Sequence, residues 1–463
     1  MTDSLPRIET PSSEQEVAQI LKEANRAKTP VTVAGAKTGL TGACTADSGI
    51  ILSTERFNQI GPVLWDDERN SGSVTVEPGV TLKALEAVLD MYGYFYPPDP
   101  GEKAASIGGT AATNASGPRS LAYGPTRAWI RRVKLLLADA TPIEITRSKH
   151  FAQNGILSMK TTSVKPVSFP LPTYCQPKTK NAAGYFWAPQ MDLIDLFIGS
   201  EGTLGVFTEL ELEIRRQPEA VISGMLFFKS ETDCFDFSVA AKKTLQPRTL
   251  EFFDGNSLKI LGDQPGAALL FEQETTKKTE AALAQQWLAL ARAHGAIVSE
   301  ELISSEPEDH QAFQQYRYQL PVRVNKQAAE NGFRKLGTDF AVPDESARAM
   351  FDFYRTELLA SGIDYALWGH IGENHLHANL LPKNKEQFDQ STKLYATLAK
   401  KAVELGGTVS AEHGIGKLRI PYLEMMVGAN GLKEMARIKK LVDPGGILNR
   451  GNIFPYELFL SAV

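Results

Sequence analysis

The sequence predicts an α+β fold in two domains. Three observations carry that expectation. Short apolar strands alternate with amphipathic helices over the first 217 residues, glycines crowd the junctions between those elements, and beyond residue 217 longer strand-like runs alternate with long helices. The 463 residues fit two or three domains at roughly 100–200 residues each. With 43% hydrophobic and 22% charged residues, the chain can bury real cores and lacks the composition of a disordered one. Lys and Arg number 49 against 54 Asp and Glu, a net charge of −5, which argues against a nucleic-acid binder. The N-terminus MTDSLPRIETPSS is polar and lacks the basic-then-apolar order of a signal peptide. No run approaches the roughly 18 apolar residues of a membrane span, though peripheral association stays open. Cys44, Cys175 and Cys234 lie too far apart in sequence for a disulfide framework or a Cys-rich cluster, so a reducing cytoplasm is the expected setting.

The first helix is announced by Ser13 and Glu16, a capping box that satisfies free N–H groups at a helix start. Val17, Ile20, Leu21 and Ala24 then recur on one helical face. Strands are expected at Val31 and Val33, near residues 50–53 and at Val74–Val76, followed by a helix buried through Leu82, Leu85, Val88 and Leu89. Residues 145–185 are polar, Pro-containing and weakly periodic, and read as one long loop, functional or mobile. Past residue 217, strands are expected at Gly224–Phe228 and Ala267–Phe271. One helix carries Leu283, Trp287, Leu290 and Ala291 and stops at Gly295, and another spans 384–404. Asp443-Pro444-Gly445-Gly446 is a helix stop and turn.

Glycine lets the backbone approach a ligand closely, and successive N–H groups in such turns form anion nests. Gly35, Gly39 and Gly42 directly follow a strand, but their spacing is neither that of the nicotinamide-binding Rossmann loop nor that of the Walker loop. One such turn alone is more often turn chemistry. Here there are three clusters, and the small residues of 106–117 would bury too little surface to be a core. Backbone in that style suits a large flat ligand.

Only seven histidines occur, yet four fall in two motifs, Gly369-His370-Ile371-Gly372-Glu373-Asn374-His375-Leu376-His377 and Ala411-Glu412-His413-Gly414. Imidazoles beside a carboxylate make a metal site or a catalytic site. In an extended strand His375 and His377 face the same side.

These motifs resemble the flavoprotein family that includes D-lactate dehydrogenase, the glycolate oxidase flavin subunit and D-2-hydroxyglutarate dehydrogenase. The resembling residues are Gly35–Gly42, Pro97-Pro98-Asp99-Pro100, Ile107-Gly108-Gly109, Tyr123-Gly124 and Gly199-Ser200-Glu201-Gly202-Thr203-Leu204-Gly205, with the two histidine motifs. The resemblance implies a two-subdomain FAD-binding domain of the p-cresol methylhydroxylase type, residues 1–217 completed by 408–463. It also implies an α+β cap domain with an antiparallel sheet at 218–407.

It further implies that Gly35, Lys37, Thr38, Gly39 and Gly42 surround the FAD pyrophosphate. Pro98, Ile107, Gly108, Gly109, Thr113, Asn114, Gly117, Tyr123, Gly124, Glu201, Gly205, Val206 and Asn449 would follow the rest of the cofactor. Lys37 departs from the family's all-small loop and either contacts phosphate or points to solvent. No histidine stands in that loop, so FAD is expected to be non-covalent. Carried across by position, His370, His377 and Glu412 would hold a divalent metal, zinc or manganese. His413 would be the general base, Asn379 would orient substrate, and Arg317, with Arg323 second, would take the substrate carboxylate. Family members carry Asp-Gly-Asn at the positions of Glu373, Asn374 and His375, so His375 either replaces a ligand or supports one.

The implied reaction oxidises a D-2-hydroxy acid of the D-lactate, glycolate or D-2-hydroxyglutarate class to the 2-oxo acid, by metal-assisted proton loss to His413 and hydride transfer to flavin N5. Electrons would leave to an external acceptor: a quinone, a cytochrome, an electron-transfer flavoprotein or a partner subunit. A homodimer is compatible with this reading. His413–Arg419 also resembles alkylglycerone-phosphate synthase, a non-redox flavoenzyme, which is the second reading. An electron-relay subunit would not need the His/Glu motifs, and a flavin-free metallohydrolase would leave the glycine clusters unexplained.

Overall fold

The computed structural model describes residues 5–159, 167–263, 266–297 and 303–462. Residues 160–166, where part of the polar stretch falls, and the first four residues lie outside the described ones.

Strands β1 (Arg7–Glu9), β2 (Val31–Ala34) and β3 (Ile50–Ser53) form a parallel sheet in the order β1-β3-β2. The helix Glu14–Ala27 between β1 and β2 begins as its capping box requires, with Ser13 Oγ accepting the Glu16 N–H at 3.2 Å. Val17, Leu21 and Ala24 seal it onto Val31, Ile50 and Leu52. The far end of the chain returns to this sheet. Leu448 bridges Val31 in parallel, the Val31 N–H donates to Ile447 O, and the Asn449 N–H donates to Val31 O, both at 2.8 Å.

Next come β4 (Ile60–Asp66), β5 (Ser71–Val76), β6 (Tyr94–Phe95), β7 (Ile130–Leu136) and β8 (Pro142–Thr146). A separate antiparallel hairpin, β9 (Ile156–Met159) and β10 (Val167–Pro170), precedes the long β11 (Val206–Arg216). β11 lies at the middle of a six-stranded sheet ordered β4-β5-β11-β7-β8, with β6 paired to it. Its sequence alternates as a half-buried strand must: Leu210, Leu212 and Ile214 enter the core, while Glu209 and Glu211 pair with Arg132 and Glu213 pairs with Arg131. The expectation of one long loop at 145–185 is corrected by the hairpin. Leu157, Met159 and Phe169 are buried, but an alternation only four residues long leaves little periodic signal.

The second unit holds β12 (Ala220–Phe228), β13 (Thr249–Phe253), β14 (Ala267–Thr275), β15 (Ala296–Ile297), β16 (Ile303–Ser304), β17 (Leu336–Gly337), β18 (Phe340–Ala341), β19 (Tyr365–His370) and β20 (His375–Leu380). Among the described residues they make a nine-stranded antiparallel sheet ordered β15-β12-β14-β13-β19-β20-β17, with β16 on β12 and β18 on β20. The expected helix forms over Glu280–Ala293, and its fully buried Trp287 stacks on Phe271 with ring centroids 3.5 Å apart. Gly295 follows at φ +76°, a conformation glycine adopts without steric cost. No helix among the described residues is long and apolar enough to cross a membrane.

Candidate active site and metal centre

β19 ends on His370 and β20 begins on His375, and the two are register partners across the strand pair. The connecting turn closes because Asn374 adopts φ +53°, a left-handed conformation that asparagine tolerates. His377 lies two residues along β20 on the same side as His375. Glu412 and His413 arrive from the loop that follows the helix Lys385–Glu404.

That loop is held by Asp339, a fully buried carboxylate between β17 and β18. It accepts the N–H groups of Glu412 (3.2 Å) and His413 (3.0 Å), the Ser410 hydroxyl (2.8 Å) and the Arg419 guanidinium (2.5 Å). It also stands 3.1 Å from His413 Nδ1 and 3.0 Å from His375 Nε2. Burial opposes its charge, but His413 and Arg419 outweigh burial and hold the carboxyl well below the usual range.

His370 Nε2 lies 3.2 Å from Glu412 Oε1, and His377 Nε2 lies 4.0 Å from Glu412 Oε2. One donor atom from each of His370, His375, His377 and Glu412 falls within 4.8 Å of all the others. The outer nitrogens are held: His370 Nδ1 by Glu251 and His377 Nδ1 by Thr338 O at 2.9 Å. An imidazole fixed on one side by an acceptor and open on the other is the usual state of a histidine metal ligand, so the residues present fit a divalent ion of borderline softness.

The electrostatics agree. Burial favours a neutral His370, yet Glu251 and Glu412 outweigh it and raise the ring to about 9. Burial, its largest influence, holds His377 well below the ordinary imidazole value, and His375 is lowered for the same reason. Glu251 drops to about 2 because Arg317 and His370 overcome its burial.

A cavity of about 790 Å³ runs from this cluster to the glycine segments. Of the residues expected to act, His413, Arg317, Asn379, His370, His377 and Glu412 line it at one end. Gly35, Lys37, Thr38, Gly39, Gly108, Gly109, Thr113, Gly117, Glu201, Gly205 and Asn449 line the rest. The wall is close-packed because it is made of small residues. A Cβ on Gly35 would meet Ser106 Oγ at 2.3 Å, one on Gly108 the Pro78 side chain at 2.5 Å, and one on Gly117 the Asp99 carbonyl oxygen at 1.9 Å. At Gly39 a Cβ would meet nothing within 4 Å. A wall this smooth, along a cavity near the upper end of the roughly 300–1,000 Å³ typical of ligand pockets, fits a long flat cofactor better than a small acid alone.

Seven expected cofactor residues stand off the cavity surface. Ile107 and Val206 are packed in hydrophobic cores, and Gly42 lies beside Leu418 and Thr45. Asn114 caps the helix Ile107–Thr113, its side chain bonded to Asn181 O and to the Arg127 N–H. The Tyr123 ring stands edge-on to Trp129 and its hydroxyl donates to Glu274, while Gly124 ends that turn and Pro98 is buried. Among the lining residues, Glu201 and Asn449 work as struts. The Glu201 carboxylate accepts the Ile415 and Gly416 N–H groups, both at 2.7 Å, and burial raises it to about 7. Asn449 accepts the Val33 N–H at 2.8 Å and donates to Glu201 O at 2.9 Å. Arg317 commits its Nε to Glu251 Oε2 at 2.8 Å, and Arg323 caps the helix Gly255–Leu261 through Ile260 O and Leu261 O.

Four site residues escaped the sequence reading: Asp339, Glu251, Lys180 and Lys335. Lys180 is buried against Glu412 Oε1 (2.6 Å) and Glu373 Oε2 (2.8 Å). Lys335 lines the cavity and donates to Asn379 Oδ1 at 2.9 Å. No carboxylate among the described residues pairs with it, and burial lowers it to about 8. Each stands outside any glycine or histidine cluster, so no local pattern marks it.

The pattern described as "FAD binding domain" matches residues 6–146, and "FAD linked oxidases, C-terminal domain" matches residues 217–453. The chain is 29% identical to the glycolate oxidase subunit GlcD of Bacillus subtilis and 30% identical to a D-lactate dehydrogenase of Anaerostipes hadrus, covering 96% of this chain and 88% of each relative. It is 28% identical to the D-2-hydroxyglutarate dehydrogenase of Stutzerimonas stutzeri, over 96% of this chain and 90% of that one. A solved alkyldihydroxyacetonephosphate synthase shares the fold at a TM-score of 0.65 and 17% identity, over 96% of this chain and 76% of that chain.

Proposed function

We propose that this chain, which belongs to the family of FAD-linked oxidases, oxidises a D-2-hydroxy acid of the lactate, glycolate or 2-hydroxyglutarate class to the 2-oxo acid. The observation that carries the reading is one continuous cavity, with a small-residue wall at one end and a His/Glu donor set beside a histidine–aspartate pair at the other. When bound, FAD supplies a two-electron acceptor and the divalent ion supplies a Lewis acid that makes an alcohol easier to deprotonate. His370, His377 and Glu412 are the residues that would hold the ion, and the glycine segments with Lys37, Thr38 and Thr113 would hold FAD.

The chain's own residues do the remaining work. Asp339 holds His413 by its backbone N–H and stands 3.1 Å from its Nδ1, which leaves Nε2 to take the hydroxyl proton of the substrate. Asp339, held well below the usual carboxyl range, stays ionised beside the ring. Lys335 supplies a cation for a substrate carboxylate, with Asn379 orienting it. Arg317 acts through Glu251 on His370. The electrons pass on to an external acceptor or partner subunit.

The test is flavin absorbance under anaerobic conditions. D-lactate, D-2-hydroxyglutarate or glycolate is expected to bleach the oxidised band, while L-isomers leave it. Persistent oxidised flavin across a broad panel of D-hydroxy acids would overturn the reading in favour of a non-redox flavoenzyme. Glu412→Ala is expected to lose bound metal and turnover together, read by metal analysis beside steady-state rates.

A further inference from the structure

Resting on the metal-assisted reading above, the geometry points to His375 as a third imidazole ligand. The centre would then be held by three histidines and one carboxylate and would select zinc or cobalt over manganese. Three rings reach it from two neighbouring strands: His370 is the register partner of His375, with ring centroids 5.3 Å apart, and the His375 and His377 rings are 4.4 Å apart. One donor atom from each falls with a Glu412 oxygen inside the same 4.8 Å span.

The outer contacts of the rings make the same case. His370 and His377 each have Nδ1 occupied, by Glu251 and by Thr338 O, with Nε2 near the Glu412 carboxylate. His375 has Nε2 3.0 Å from Asp339 Oδ1, and both of its ring nitrogens are fully buried without a hydrogen-bond partner among the described residues. A neutral imidazole carries a lone pair on one of its two nitrogens, which only a donor or a cation can satisfy. His375 is wholly enclosed, so bulk water cannot do so. A neighbouring cation that three other donor atoms also address satisfies it.

Glu412 supports the count. Its Oε1 is taken by Lys180 at 2.6 Å and by the Ser116 hydroxyl at 3.3 Å, so it offers the ion one oxygen rather than two. Three nitrogens and one oxygen make a four-donor set. Nitrogen-rich sets hold zinc and cobalt more tightly than manganese, which prefers oxygen.

The experiment uses the FAD-loaded protein stripped of metal and reloaded with zinc. X-ray absorption at the zinc edge is expected to show three imidazole rings in the parent protein. In competition titrations, His375→Asn is expected to lose at least ~10²-fold in zinc affinity while its manganese affinity changes far less. FAD retention and far-UV circular dichroism confirm that the variant is folded, and the parent spectrum needs no variant at all. Zinc held by two imidazoles, or unchanged zinc affinity in His375→Asn, overturns the third ligand and leaves the oxidation reading intact. A parent protein that takes up no ion overturns both.

Discussion

At the scale of single residues, Asp339 is the group on which most of the site depends. It reaches two histidines, one arginine, one serine and two backbone N–H groups, so its charge both shapes the 410–413 loop and orients His413. Asp339→Asn is expected to keep FAD, lower kcat by at least ~10²-fold and change KM far less, read in steady-state kinetics with the pH profile displaced. His413→Ala is expected to stay yellow and to lose flavin reduction. Lys335 gives a pH prediction whose sign follows from its lowering to about 8. Below that pH the amine is charged and attracts a substrate carboxylate, and above it the attraction is lost. KM is therefore expected to rise as pH passes 8, and Lys335→Met is expected to raise KM by roughly tenfold or more at neutral pH while abolishing the inflection.

These residues also mark how far sequence alone reaches. The histidines and glycines announce themselves because several of one type crowd into short motifs. Asp339, Glu251 and Lys180 are single polar residues in apolar or mixed surroundings, and only the pairing of distant strands gives them a role. His375 was visible as an oddity, but whether it served as ligand or support depended on where its two nitrogens fall.

At the scale of elements, the first helix and the strands of the opening sheet were legible because capping chemistry and periodicity agree. The 145–185 stretch was not, because its hairpin strands are four residues long and its later turns are fixed by contacts to other segments. One element carries a further prediction. Asp254 caps the helix Gly255–Leu261 by accepting the Ser257 N–H at 2.8 Å, and it also accepts the Leu367 N–H of β19 at 3.1 Å. Burial raises its carboxyl to about 7. The folded chain thus keeps a proton that the unfolded chain releases near pH 4, so this group's contribution to stability falls as pH rises from about 4 to 7, by roughly 4 kcal/mol at full extent. Asp254→Asn is expected to flatten that part of the pH dependence, measured as the urea midpoint at pH 4.5 and 7.5.

At the scale of the whole molecule, the 439–448 segment and the loop at 199–205 are joined by one buried ammonium. Lys439 donates to Thr203 O at 2.6 Å, to Asp443 Oδ2 at 2.6 Å and to Leu448 O at 2.8 Å. Lys439→Met leaves Asp443 buried without its partner and is expected to cost about 3–5 kcal/mol, with FAD lost on gel filtration. No periodicity marks this contact, because it joins segments more than two hundred residues apart.

The parallel bridge between Leu448 and Val31 sets an order of events during synthesis. The edge of the first sheet, and with it the brace that Asn449 gives to Val33, cannot close until residues 447–449 have been synthesised. A nascent chain stalled before that point holds an open cleft in place of the finished wall. The prosthetic group is thus seated only after residues 447–449 have returned to the first sheet, and chains broken before them are excluded from chemistry by their own architecture.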